Sequence, residues 1–125
     1  MQISDPAEER FYALVEAAIA AIPEPFASRL GSVAIVVEDW ASPDQLASVH
    51  AGGLFGLYQG VPRTTFGAEN AGVPSKITIF RGPLEQRYRD PTALRDAVFD
   101  TVRHEIAHHF GISDARLVEL QGPAH

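Results

Sequence analysis

The segment that most constrains the fold of this chain runs from Asp90 to Gly111 and has the local signals of a long helix. Asp90 is a good N-cap residue, Pro91 suits the first helical position, and Gly111 can end the helix in left-handed geometry. Apolar residues recur at every fourth position between these ends: Leu94, Val98, Val102, Ile106 and Phe110. Such a stripe predicts a helix that buries one face in the core.

The same helix carries the motif H-E-x-x-H from His104 to His108. Residues four apart lie on one helix face, roughly 6 Å apart along the axis, so the two imidazoles can converge on one metal ion. Glu105 projects beside that ion, where a base that activates a metal-bound water is needed. Gly111 lets the chain reverse, and Asp114 is the first residue after the turn that can donate a hard oxygen ligand. Three ligands leave a fourth position for water, as in catalytic zinc sites.

The motif also has a non-functional interpretation, because H-E-x-x-H occurs by chance as a solvated helix face with two ordinary histidines. Three observations favour a metal site. The motif lies in a strongly helical segment, a glycine and an aspartate follow at useful offsets, and the chain has no cysteine to suggest another site. Zinc is the preferred metal, although two imidazoles and a carboxylate also suit Fe(II) or Mn(II).

Length and composition predict one domain, residues 1–125, of an ordinary globular kind. A chain of 125 residues can bury a single core, and 46% hydrophobic residues argue against disorder. The formal net charge of −6 disfavours nucleic acid or an anionic membrane as a partner. The N-terminal residues lack the basic and apolar regions of a secretory signal, and the sequence has no apolar run of membrane-spanning length and no cysteine, so a cytoplasmic location is expected.

The rest of the chain predicts an α+β fold with a small sheet of three or four strands. A first helix begins at Asp5, and its apolar stripe is assigned to the core. A β-branched run at Val33–Val37 predicts a strand buried on both faces, whereas Lys76–Arg81 alternates as a half-exposed strand does. A third strand is predicted at Leu54–Tyr58, where Gly56 marks a bulge or a close backbone approach.

Short helices and connections complete the predicted organisation. The sequence from Ser42 to Gln45 resembles a capping box, which predicts a short helix to about Val49. Residues 59–75 are rich in glycine and proline and predict a long surface connection, whose part in shaping a substrate groove the sequence leaves open. Leu84–Arg89 is interpreted as a charged connection, and Ser113 as the cap of a last short helix.

Three motifs together resemble the small bacterial "minimal zincin" metallopeptidase family. They are the helix motif with its extension to Asp114, the segment Gly56–Gly60 and the segment Ile77–Leu84. The likeness spans most of the chain from Val33 onward. It implies a compact zincin-like fold, a zinc ion held by the two histidines and Asp114, and the intervening glutamate as base. It implies no particular physiological substrate.

The chain departs from the larger zincins in two respects. Its only methionine is Met1, so it lacks the methionine-containing turn that lies beneath the zinc in metzincins. Gluzincins take a glutamate ligand from a helix well downstream, and Glu119 lies too close to His108 for that role. A substrate would therefore lie in an open groove, or a partner chain would close the cleft.

Further roles near the predicted metal follow from position alone. Tyr58 and Tyr88 are candidates for stabilising an oxyanion, although a tyrosine is more often a half-buried packing residue. His109 points about 100° around the helix from His108 and is expected behind the ligands or at the surface. An edge strand at Ile77–Phe80 is the candidate for pairing with an extended peptide.

The predicted function is that of a zinc-dependent metallopeptidase, in which Glu105 activates a zinc-bound water to hydrolyse a peptide or protein substrate. Two alternatives stay open. One is a non-catalytic zinc-binding interaction module, whose metal ties the last helix to the fold. The other is a metal-dependent endoribonuclease of the H-G-x-x-H type, which Glu105 and the acidic net charge disfavour. The sequence leaves the oligomeric state open.

Overall fold

Four α-helices and a three-stranded sheet make up the part of the chain that the structure describes. The computed structural model describes residues 5–47, 54–60, 75–113, 115, 116 and 119. In chain order the elements are α1 (Pro6–Ala20), a 3-10 turn (Ala27–Ser32), β1 (Val33–Glu38), α2 (Pro43–Ala47), β2 (Gly56–Gln59), β3 (Ser75–Phe80), α3 (Arg81–Arg87) and α4 (Pro91–Phe110). These elements confirm the predicted α+β class.

The strand order within the described residues is β1-β3-β2, so β3 is the central strand. β1 runs parallel to β3, with Ile35 opposite Ile77. β2 runs antiparallel on the other side of β3, with Gly56 opposite Ile79 and Tyr58 opposite Ile77. Since side chains alternate along a strand, Gly56 and Tyr58 lie on one face of the sheet.

The burial of two strands differs from the sequence prediction. The sequence predicts a half-exposed strand at Lys76–Arg81, but β3 ends at Phe80 and the run Ile77–Phe80 is fully buried, because the strand has a neighbour on both sides. The prediction for Val33–Val37 is wrong in the opposite sense. This strand has one described neighbour, and Ala34 is exposed. A β-branched run indicates a strand, but its place in the sheet decides its burial.

Three predicted helix starts are confirmed by their cap hydrogen bonds. The Asp5 carboxylate accepts from the Ala7 amide at 3.3 Å, and Asp90 accepts from the Ala93 amide at 2.9 Å. At the start of α2, the backbone amide of Ser42 donates to the side chain of residue 45 at 2.7 Å. The hydroxyl of Ser42 accepts from the amide of residue 45 at 3.1 Å, which completes a capping box. The predicted end of α2 near Val49 lies outside the described residues.

The charged connection predicted at Leu84–Arg89 is wrong, because residues 81–87 form helix α3. Arg81, the first residue of this helix, forms ion pairs with three carboxylates. Its guanidinium lies 3.1 Å from Asp39 after β1, 3.9 Å from Glu8 of α1 and 3.6 Å from Glu85 one turn further along α3. These partners are distant in sequence except for Glu85. The local charge pattern therefore could not indicate them.

The core lies where α4 packs against α1 and against β2 and β3. The stripe predicted for α4 is buried from Val98 through Phe110, and that of α1 is buried at Phe11 and Val15. Within the described ranges, none of the helices combines the length and apolar composition that a bilayer span requires. The long connection predicted at 59–75 lies for the most part outside the described residues. That the chain is one domain stays a prediction.

Candidate metal centre

The second half of α4 exposes both histidines of the motif on one side of the helix. The rings of His104 and His108 have their centroids 6.3 Å apart, and both side chains are exposed. They line a cavity of about 360 Å³ together with Ile112 and Ser113. The spacing of four residues thus brings the two imidazoles to one cavity, as the sequence predicts.

The donor chemistry of this pair fits zinc, since imidazole nitrogen is one of its usual ligands. Among the described residues, no group of three or more histidine, aspartate and glutamate side chains that could hold a metal occurs. Asp114, the predicted third ligand, lies outside the described residues. Its role therefore stays a prediction, as do those of His104 and His108.

Glu105 lies on a different side of α4 from the two histidines and is 7% exposed. It faces strand β2, where a Cβ atom added to Gly56 would lie 3.1 Å from its Cγ and 3.4 Å from one carboxylate oxygen. The methyl group of Thr101, one turn earlier on α4, would lie 2.9 Å from the same added Cβ atom. The close backbone approach predicted at Gly56 is therefore confirmed, and its partner is the helix that carries the motif.

His109 is completely buried, so it lies behind the exposed histidines and not at the surface. Its Nδ1 lies 3.2 Å from the hydroxyl of Tyr58, and its ring centroid is 5.5 Å from that of Tyr58. The Tyr58 hydroxyl also lies 3.3 Å from the Oγ of Ser75 on β3. These contacts join α4 to β2 and β3.

The two tyrosines considered for the oxyanion have different surroundings. The ring of Tyr58 lies 5.5 Å from that of His108, but its hydroxyl is directed to His109 and Ser75. Tyr88 packs against Phe55, with ring centroids 5.9 Å apart, and it belongs to the margin of the core. The contacts of both residues favour packing over stabilisation of an oxyanion.

The chain turns immediately after the motif because Gly111 adopts left-handed geometry, with φ 68° and ψ 29°. The amide of Ile112 then donates to the carbonyl of Ala107 at 2.9 Å, a bond typical of such helix ends. This turn brings Ile112 and Ser113 to the cavity. Ser113 accepts a hydrogen bond from the amide of Arg116 at 3.0 Å, as a helix N-cap does. Residues 115, 116 and 119 are helical, and the rest of the predicted last helix lies outside the described residues.

The peptide-pairing strand predicted at Ile77–Phe80 is wrong, because β3 is paired on both sides and has no free edge. Among the described strands, β2 is the one that lies at an edge and contacts α4 beside the motif. The contacts of Thr101 and Ser75 were not predicted. For Thr101 a signal was present, since it lies one helical turn before Glu105.

A helix with two histidines four residues apart and a buried glutamate between them, packed on a mixed sheet, is typical of H-E-x-x-H metallohydrolases. A family model described as zincin-like metallopeptidase matches residues 30–123. The match covers well over half of the chain, and the chain belongs to this family. No curated protein matches the chain.

Proposed function

We propose that this protein is a zinc-dependent peptidase with Glu105 as its general base and His104, His108 and Asp114 as its metal ligands. One observation carries the proposal: two exposed imidazoles line one cavity, and the carboxylate between them in sequence is buried against the sheet. Membership of the zincin-like metallopeptidase family supports the same conclusion and disfavours the ribonuclease alternative.

The proposed metal and Glu105 have separate roles in amide hydrolysis. When bound, zinc polarises the scissile carbonyl and lowers the pKa of water toward about 7. Glu105 takes a proton from the attacking water and passes it to the leaving amine.

The substrate expected at this site is an extended peptide. β2 has one described neighbour and passes over α4 beside Glu105. A peptide strand that paired with β2 on the side away from β3 would gain backbone hydrogen bonds independent of its sequence. The cavity of about 360 Å³ beside His108 would then receive one of its side chains.

The proposal is tested by comparing wild type with Glu105→Gln, which keeps the size of the side chain and removes the base. We expect equal zinc content in both proteins and cleavage of a peptide library by wild type, with a fall of about 10²–10⁴-fold in the variant. If both proteins hold zinc and neither cleaves any peptide, a zinc-binding interaction module is the better description. Equal cleavage by both would remove Glu105 from the mechanism.

A further inference from the structure

Gly56 of strand β2 packs closely against helix α4. A Cβ atom added to this glycine would lie 2.9 Å from the methyl group of Thr101 and 3.1 Å from the Cγ of Glu105. It would also lie 3.4 Å from a carboxylate oxygen of Glu105. The first two distances are shorter than carbon–carbon van der Waals contact, so an alanine at this position would displace one of its neighbours.

Neither neighbour can move away easily. The hydroxyl of Thr101 donates to the carbonyl of Ala97 at 2.8 Å, and rotating the methyl group away would break this bond. The Cγ of Glu105 is close to the root of its side chain, so moving it also moves the carboxylate. Because Glu105 is 7% exposed, a new position for this carboxylate has to be found within packed protein.

The two histidines predicted as ligands do not take part in this contact. His104 and His108 are exposed and line the cavity, and neither is among the nearest neighbours of the added Cβ. A small displacement at Gly56 therefore acts first on Glu105 and only indirectly on the two imidazoles.

We propose that Gly56 is a positioning residue for Glu105. Because Gly56 has no Cβ atom, its backbone packs against the aliphatic part of the Glu105 side chain. This contact fixes the carboxylate relative to the imidazoles of His104 and His108. The contact itself does not depend on catalysis. The effect of this contact on turnover rests on the proposed peptidase function. The contact and its effect on turnover are therefore tested separately.

The contact is tested in the metal-free protein by a double-mutant cycle between Gly56→Ala and Glu105→Ala, with urea unfolding as the readout. Glu105→Ala removes the Cγ and the carboxylate that the new methyl group would meet. We expect Gly56→Ala to lower the urea midpoint of unfolding in the wild-type background. In the Glu105→Ala background the same change should lower the midpoint by a smaller amount. An equal fall in both backgrounds would overturn the proposal.

Two further variants serve as a control and as an alternative background for this test. Gly31→Ala is the matched control, because a Cβ at that exposed glycine has nothing within 4 Å, and we expect little change in the midpoint. If Gly56→Ala does not fold, the cycle is repeated in a Thr101→Ser background. That change removes the methyl group at 2.9 Å and leaves the contact with Glu105 in place.

The consequence for the site is tested with zinc and a cleaved peptide in the Thr101→Ser background. We expect Gly56→Ala to leave the zinc affinity, measured against a competing chelator, within a few-fold of its parent. We expect kcat to fall by at least about 10-fold with KM little changed, since a misplaced base loses part of the roughly 10²–10⁴-fold that general-base catalysis supplies. Loss of zinc affinity in proportion to kcat would contradict the positioning role. If neither wild type nor this parent cleaves any peptide, the proposed function fails, and the metal-free cycle still decides the contact.

Discussion

Tyr58 contacts two neighbouring residues of α4 at once, and its ring and hydroxyl have separable roles. The ring lies beside that of His108, which lines the cavity, with centroids 5.5 Å apart. The hydroxyl lies 3.2 Å from His109 and 3.3 Å from Ser75, on the inner side of the helix. Removing the hydroxyl alone therefore probes the support behind the ligand without removing the ring that contacts it.

We expect Tyr58→Phe to lower the free energy of unfolding by about 1–3 kcal/mol, because partly buried hydrogen-bonding groups lose their partner. Zinc affinity should fall by less than the roughly 10-fold that follows loss of a group bonded directly to a ligand. Urea unfolding and zinc titration measure the two effects. Tyr12→Phe is the matched control at a tyrosine that is 44% exposed, with an expected change within about 0.5 kcal/mol. A large loss of zinc affinity with unchanged stability would place the hydroxyl in the metal site.

At the scale of elements, the end of α4 determines where the chain goes after the motif. Gly111 has φ 68°, a conformation that costs a residue with a Cβ roughly 1–2 kcal/mol. The residues directly after it, Ile112 and Ser113, line the cavity. The turn thus links the stability of the helix end to the shape of the site.

Gly111→Ala should destabilise the protein by about 1–2 kcal/mol in urea unfolding. Gly111→Asn should cost less, since asparagine enters left-handed geometry more readily. Gly31→Ala again serves as control, because Gly31 has neither a positive φ nor a crowded Cβ position. If zinc is held as we propose, Gly111→Ala also weakens its binding, because the turn leads to Asp114. Unchanged stability in Gly111→Ala would mean that the turn relaxes to another geometry.

Elements with local signals were predicted well, and those defined by distant contacts were not. The caps at Asp5 and Asp90 and the apolar stripes follow from neighbouring residues alone, and the structure has them. The burial of β3 depends on which strands lie on each side of it, and α3 begins at an arginine held by Asp39 and Glu8. Neither fact is present in the local pattern.

The same distinction holds within the candidate site. The spacing of His104 and His108 on one helix was readable from the motif. The packing of Tyr58 against α4 brings together residues 51 apart in sequence and required the structure. The glycine in β2 gave a partial signal, because it predicted a close approach but not the residue approached.

For the whole molecule, the central prediction is that zinc stabilises the fold. A ligand that binds only the native state at 100 times its Kd adds about 2.7 kcal/mol, which corresponds to a rise in Tm on the order of 10 °C for a domain of this size. Zinc addition and removal by a chelator, followed by thermal unfolding, measure the effect. This measurement needs no substrate and is independent of peptidase activity.

Variants assign the stabilisation to the proposed ligands. We expect His104→Ala to abolish the rise in Tm and Glu105→Gln to keep it, because the glutamate is a base and not a ligand in our proposal. His50→Ala is the control at a histidine that belongs to no motif in the sequence, and it should keep the rise. A full rise in Tm in His104→Ala would remove this residue from the ligand set.

The strand order β1-β3-β2 has a consequence for how the site is assembled. The pair of histidines is a contact of low sequence separation, since it requires only that α4 be helical. The surroundings of Glu105 depend on β2, which precedes α4 in the chain and reaches it only by closing a loop of several dozen residues. The two histidines are thus brought together by local structure, whereas the contact between Glu105 and β2 joins residues far apart in the chain. Only this second contact requires that the sheet pack against α4.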